Sequence, residues 1–82
     1  MPIEIMTIPV ISTAHLPSDT AVETLGVFHA KYEHGYFVWM DESEHESWYA
    51  EIREWAASHA PDGWVRFDND ADPVPELTTY DW

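Results

Sequence analysis

Four residues near the start of the chain have the types of side chain that nucleophilic catalytic sites use. Ser12, Thr13 and His15 lie within VISTAHLPSDTAVETLG (residues 10–26), and Asp19 follows four residues after the histidine. A serine nucleophile needs a base and an oxyanion site on a rigid turn, and the G-x-S-x-G pattern of such a turn is absent. Ser and Thr are also common where a strand ends and a helix begins, because their hydroxyls bond free backbone N–H groups. We therefore interpret this cluster as a strand-to-helix junction.

The five histidines, together with the many carboxylates, are the other residues suited to chemistry. No H-E-x-x-H pattern occurs: His45 is followed by Glu46 but has no second histidine four residues on. His29 and His34 flank a predicted turn, so they do not share a helix face. Pairs of carboxylates are expected by chance among 16 acids, and general acid–base chemistry needs more than such a pair. We expect no metal, no cofactor and no enzymatic activity.

The first half of the chain is predicted to form three strands and a short helix. Residues 3–12 alternate as in a strand, although Pro9 restricts that strand to an edge or breaks it. A helix over residues 18–25 is predicted from Pro17 at its entry, a capping-box spacing of Thr20 and Glu23, and Gly26 at its end. Strands over residues 27–32 and 35–40 form a hairpin around residues 33–35.

The second half of the chain contains the clearest helix, predicted over residues 42–60 with Asp41 as its cap and Glu44 three residues on. Its buried stripe is predicted to comprise Trp48, Ile52, Trp55, Ala56 and His59. A last strand over residues 64–67 leads into an acidic tail from residue 68, which Leu77, Tyr80 and Trp82 would pin to the body. We predict one compact α+β domain over residues 1–82. It would contain a small antiparallel sheet of three to four strands and two helices, in the order β-α-β-β-α-β.

Composition narrows the class of protein. The chain has 82 residues, is 45% hydrophobic and 15% aromatic, and is therefore too apolar to be disordered. The lack of cysteine excludes disulfides, thiolate chemistry, Fe–S clusters and Cys-based zinc sites. No basic leader precedes the first apolar run, and no run approaches the ~20 residues of a membrane span. We expect a cytoplasmic protein in a host cell, with no membrane partner.

The charge is the unusual property of this sequence. Sixteen acids stand against three bases, which gives a formal net charge of −13. Such a surface repels nucleic acid and anionic membrane and attracts basic surfaces. Solubility or the general acidity of a halophilic host would also account for it. The alternative is a surface selected to bind a basic partner.

Most acids fall into two blocks, one along the second predicted helix and one in the tail. Carboxylates at i and i+4, such as Glu42 and Glu46, lie about 5–6 Å apart on a helix, which is comparable to the phosphate spacing along a DNA strand. Tyrosine and tryptophan are frequent interface anchors, and Tyr36, Tyr49, Tyr80 and Trp82 are candidates. By contrast, Trp39, Trp48, Trp55 and Trp64 are predicted to face inward. The candidate partner-binding residues are Asp41, Glu42, Glu44, Glu46, Tyr49, Glu51, Glu54, Asp68, Asp70, Asp72 and Trp82.

A short segment adds a resemblance. The sequence ISTAHLP at residues 11–17 is similar to an N-terminal segment of small phage and plasmid proteins, and STAHL at residues 12–16 resembles a stretch in a type I anti-CRISPR inhibitor. The resemblance covers five to seven residues and carries over no functional residue. It implies a mobile-element origin and inhibition of a host nucleic-acid-binding defence complex by occupation of its DNA path.

These observations predict a non-enzymatic inhibitor that mimics the charge of DNA and binds a basic protein or nucleoprotein complex, most concretely an anti-CRISPR protein acting on a CRISPR effector. It would not itself bind nucleic acid. The alternative is an accessory or antitoxin-like protein that neutralises a basic partner without occupying a DNA site. The sequence leaves open which acidic block forms the interface and whether the chain forms a homodimer.

Overall fold

Four strands and two helices make up the fold of the part described by a computed structural model, residues 7–41 and 46–81. The strands are β1 (Val10–Ser12), β2 (His29–Tyr32), β3 (Gly35–Trp39) and β4 (Trp64–Asp68). The helices are α1 (Ala21–Leu25) and α2 (Ser47–His59), and a single 3-10 turn (Thr13–His15) follows β1. The predicted α+β class and the β-α-β-β-α-β order are confirmed.

The strands form one mixed sheet in the order β1-β4-β3-β2. β3 pairs antiparallel with β2 and β4, and β1 pairs parallel with β4, with Ile11 opposite Phe67. The expected sheet was wholly antiparallel, so the β1–β4 pair differs from that expectation. A parallel pair needs a long crossover connection, and here nearly the whole chain lies between the two strands.

The core lies between one face of the sheet and the two helices. Alternate strand residues supply the sheet's contribution, since successive side chains point to opposite faces. α2 packs with Trp48, Ile52 and Ala56, which confirms most of its predicted stripe, but His59 is exposed and stacks on Trp55 at 4.5 Å between ring centroids. The buried strand residues are Ile11, Tyr36, Val38, Val65 and Phe67.

The helix ends differ from the predicted caps. α2 begins at Ser47 with Glu46 as its N-cap residue, so Asp41 does not cap it, and Glu44 lies outside the described residues. Thr20 precedes α1 without a side-chain cap, and the Glu23 carboxylate accepts a hydrogen bond from the Tyr36 hydroxyl at 3.0 Å, so the predicted capping box does not form. Gly26 does end α1 in the left-handed region, at φ 79°, as predicted. Neither described helix is long and apolar enough to cross a membrane.

Candidate functional site

The Ser12–His15 cluster serves the fold. The Ser12 hydroxyl accepts a hydrogen bond from the Ala14 N–H at 3.0 Å and so caps the 3-10 turn. His15 is buried, and its Nε2 accepts from the Val74 N–H at 2.8 Å while its Nδ1 lies 2.8 Å from the Thr78 carbonyl oxygen. This pattern requires Nδ1–H to be the donor in a neutral ring. The junction interpretation is confirmed, and His15 attaches the tail instead of activating Ser12.

A large cavity, about 510 Å³, lies at the end of the sheet beside this junction. It brings Ser12 and Thr13 next to the β2–β3 hairpin, where Lys31 forms an ion pair with Glu23 at 3.6 Å. The Tyr36 hydroxyl also donates to Glu23, and its pKa is raised, first by burial and then by that carboxylate. Tyr36 is buried, so its prediction as an exposed anchor is wrong.

The acidic tail packs on the body, as expected from Leu77 and Tyr80. Leu77 is buried, and the Tyr80 N–H donates to the Ala14 carbonyl at 2.8 Å. Thr78 donates from its N–H and its hydroxyl to the two carboxylate oxygens of Glu51, at 3.0 and 2.9 Å. Trp82 lies outside the described residues. The tail therefore presents its acids from a fixed backbone.

A shallow groove of about 270 Å³ separates α2 from the tail. We call it the acidic groove, and its lining residues are Glu51, Glu54, Trp55, Glu76 and Leu77. Three carboxylates thus surround an apolar floor of one indole and one leucine. The arrangement suits a long basic side chain, whose stem can lie on apolar surface while its charged end meets carboxylates.

Acids dominate the exposed surface of the described residues, and two of the bases are already neutralised. Lys31 pairs with Glu23, and Arg66 pairs with Asp68 at 2.9 Å. Arg53 is half-buried on α2. The exposed acids are Asp19, Glu23, Glu33, Glu46, Glu54, Asp62, Asp70, Asp72, Glu76 and Asp81.

The predicted partner-binding acids have different environments. Glu54, Asp70 and Asp72 are exposed. Glu46 is also exposed and accepts a hydrogen bond from the Trp48 indole N–H at 3.0 Å. The remaining described members of the α2 block, Asp41 and Glu51, are half-buried, and Glu42 and Glu44 lie outside the described residues.

Two predicted interface residues are committed to the fold. Tyr49 is fully buried, because it lies on the core-facing side of α2. Its hydroxyl donates to the Trp39 carbonyl at 2.8 Å and accepts from the Asp41 N–H at 2.7 Å, and burial raises its pKa. Its assignment as an interface anchor is wrong.

Asp68 is the second such residue, with a side chain only 10% exposed. Its carboxylate accepts from the Asp70 N–H and the Tyr32 hydroxyl, both at 2.8 Å, and from Arg66 at 2.9 Å. The Asp70 N–H is the main cause of its lowered pKa, followed by the Tyr32 hydrogen bond. Asp68 is therefore not available to a partner as a free acid, and its assignment to the interface is wrong.

Sequence reasoning missed an aromatic surface on the side of the sheet away from the core. We call it the open sheet face; it comprises Val10, Phe28, Ala30, Tyr32, Phe37, Trp39, Trp64 and Arg66. Phe28 is 70% exposed, Trp39 is 36% exposed and Trp64 is half-buried. Both tryptophans lie on the side of the sheet away from the core, so the inward orientation predicted for Trp39 and Trp64 is wrong. The available signal was alternation, since Trp39 must point away from its buried neighbour Val38.

Comparison with known families places the chain. A family model described as the C-terminal domain of a family of unknown function (DUF5983) matches residues 8–82. The chain belongs to this family. No curated protein and no solved structure matches. The family description names no activity, ligand or partner, so the functional argument for this member rests on its surfaces.

The described residues of this family member include no group of three or more histidines and carboxylates that is placed to hold a metal ion. The described hydrogen bonds give the polar groups around Ser12, His15 and Asp68 structural partners. What the described surface offers is charge and exposed apolar area.

Proposed function

We propose that this protein is a non-enzymatic inhibitor that binds a basic nucleic-acid-binding protein or complex in the place of DNA. The observation that supports this most is the imbalance of the described surface: ten exposed acids, with Lys31 and Arg66 already in ion pairs. In its most concrete form the partner is a CRISPR effector. In the alternative form, the protein neutralises a basic protein partner without occupying its DNA site.

The fixed position of the acids favours binding. Glu54 projects from α2, and Glu76 lies on the tail, which the His15 and Glu51 hydrogen bonds hold against the body. Carboxylates on an ordered backbone lose little conformational entropy when they bind, so more of the Coulomb attraction appears as affinity. A field of one sign also accelerates encounter with an oppositely charged surface.

The acidic groove is where a partner's arginine or lysine would lie in this proposal. Trp55 and Leu77 offer an apolar floor for the aliphatic stem, and an indole face also attracts a cation. Glu54 and Glu76 flank that floor. Both acids are exposed, so reversing their charges leaves the core intact.

Competition for DNA tests the proposal. The probe is a fluorescent target duplex bound to a purified CRISPR effector of the host, and the measurement is its displacement by the protein at about 50 and 500 mM salt, since screening weakens exposed charge pairs. Glu54→Lys with Glu76→Lys is expected to weaken displacement roughly tenfold or more, because attraction becomes repulsion at a close contact. The matched control is Asp19→Lys with Glu33→Lys, which makes the same charge change at the large cavity.

If the two double variants lose equal ability to displace the duplex, binding depends on net charge and not on the acidic groove. Displacement that does not change with salt would contradict a charge mimic. A basic partner that keeps its DNA while the protein is bound would favour the alternative form. Circular dichroism of both variants verifies that the fold is intact.

A further inference from the structure

The open sheet face is a preorganised aromatic surface. Trp64 contacts Phe28 and Trp39 edge-on, with ring centroids 5.7 and 5.3 Å apart. Tyr32 and Phe37 form a second group at 5.2 Å, and the Arg66 guanidinium lies 5.0 Å from the Tyr32 ring. Rings that already pack against one another lose little freedom when they are covered by another surface. Both described helices contribute their buried residues to the opposite face of the sheet.

The same face is electrically neutral in a chain of net charge −13. Among the described strand residues that point to this side, the charged ones are Arg66 and Asp68, and they form an ion pair at 2.9 Å. Two copies of a chain this acidic repel one another at any contact between acidic surfaces. The strand residues of this face bring no unpaired carboxylate to a contact between two copies, and two apolar aromatic surfaces can pack against each other.

We propose that the open sheet face is a two-fold interface at which two copies of this chain pack sheet against sheet. Such packing places the strands of the two sheets about 10 Å apart with their inner side chains interdigitated. The helices and the acidic grooves would then lie on the two outer sides of the dimer. This inference does not depend on the identity of a basic partner.

The size of the face predicts a weak dimer. Four strands of three, four, five and five residues, at a spacing of about 4.8 Å and roughly 3.3 Å per residue, cover on the order of 300 Å² in projection. A standard stable interface buries about 800 Å² per partner. Phe28 and Trp39 add relief and area beyond the projection, and we therefore expect dissociation in the micromolar range.

Sedimentation equilibrium of the full chain tests the proposal at roughly 1–300 µM, a range suited to an interface below standard size. The mass is expected to rise from monomer to dimer with concentration. The dimer is expected to tighten between about 50 and 500 mM salt, because salt screens the repulsion between two acidic copies. A monomer at every concentration and both salt levels would overturn the proposal.

Phe28→Glu is the decisive variant. It places a carboxylate on each copy at the interface, and we expect at least a tenfold weaker dimer. Since Phe28 is 70% exposed, the fold should survive, and Val10→Glu at another exposed position on the face should have the same effect. Ser47→Glu is the matched control, because it adds one charge at the exposed start of α2, where the helix dipole favours it.

The variants also separate this inference from the proposed function. A dimer weakened equally by Phe28→Glu and Ser47→Glu would overturn the assigned face. If Phe28→Glu leaves the dimer unchanged but abolishes displacement of DNA from the effector, the face binds the partner and the proposal is wrong. A loss of dimer with unchanged displacement per chain supports this inference, whatever the groove variants show.

Discussion

The acidic groove and the open sheet face both present tryptophan to solvent, but the first is surrounded by carboxylates and the second is neutral. Trp55 lies among Glu51, Glu54 and Glu76, whereas Trp39 and Trp64 lie on a face whose one Arg–Asp pair cancels. An indole among carboxylates suits a cation with an aliphatic stem, and an indole on a neutral face suits another apolar surface. An exposed aromatic therefore predicts a kind of partner only together with the charges around it.

Salt is the variable that separates the two regions. Binding at the groove is attraction between opposite charges and should weaken as salt rises, whereas contact between two open sheet faces is opposed by like charges and should strengthen.

The largest effect is expected from Gly35→Ala, which damages the sheet behind both regions. A Cβ at this position would meet the Phe67 carbonyl oxygen on the paired strand β4 at a distance no side chain tolerates. The strands must move apart, and we expect a loss of roughly 3 kcal/mol or more in the free energy of unfolding. Chemical denaturation measures it.

Gly26→Ala is the matched control for that change. Gly26 has φ +79°, but a Cβ added there would have nothing within 4 Å, so only the backbone conformation is penalised, by about 1 kcal/mol. Equal losses at the two glycines would contradict the close approach of β3 and β4.

His15→Leu should damage the groove and spare the open sheet face. The leucine fills the buried site but removes the bonds to Val74 and Thr78, which hold the tail that carries Glu76 and Leu77. We expect a loss of about 2–3 kcal/mol, because two hydrogen bonds to a buried side chain disappear together. Hydrogen exchange of the Val74 and Tyr80 amides should accelerate, while dimerisation remains unchanged. Unaltered exchange would show that the apolar contacts alone hold the tail.

Tyr49→Phe should cause a smaller loss of stability, and it should affect the acidic groove and the open sheet face alike. It removes one hydroxyl, and with it the bonds to the Trp39 carbonyl and the Asp41 N–H that tie α2 to the end of β3. We expect a loss of about 1–2 kcal/mol, measured by thermal unfolding. An unchanged melting temperature would mean that water replaces the hydroxyl.

Low pH should have the smallest effect on stability. It acts by protonating Asp68, whose negative charge balances Arg66 on the open sheet face. The pKa of Asp68 is lowered in the folded protein from its ordinary value of 3.8, so its ionised form adds stability above that value. This contribution should fall away as the pH drops below 3.8 and through the lower folded-state pKa. Asp68→Asn should flatten that part of the pH–stability curve. A curve with the same slope as the native protein's would place the acid sensitivity elsewhere.

The predictable parts of the fold were those with a local cause. The alternation around the 33–35 turn, the helical spacing of Trp48, Ile52 and Ala56, and Gly26 as a helix end each depend on a few neighbouring residues. The junction at Ser12 was predictable for the same reason, because its hydroxyl bonds an N–H two residues away.

The incorrect assignments involved partners distant in sequence. The spacing of Thr20 and Glu23 favoured a capping box, but the Glu23 carboxylate accepts a hydrogen bond from Tyr36, thirteen residues away. Tyr49 was placed at an interface by its residue type, whereas its position on α2 buries it under the sheet. The sequence does not distinguish Asp68 from the other acids of the tail. The pairing of β2, β3 and β4 places Tyr32 and Arg66 beside it, and both donate hydrogen bonds to its carboxylate. No local sequence pattern predicts these contacts.

Four properties follow directly from the amino-acid sequence: the net charge of −13, the absence of thiol chemistry, the order of the elements and the residues that alternate along each strand. The covered face of β3, by contrast, depends on the tertiary fold. Tyr36 and Val38 on one face are as apolar as Phe37 and Trp39 on the other. Alternation therefore separates the two sets but does not show which of them is buried. The helices pack on one set, and the other becomes the open sheet face, because burial depends on contacts between elements far apart in the chain.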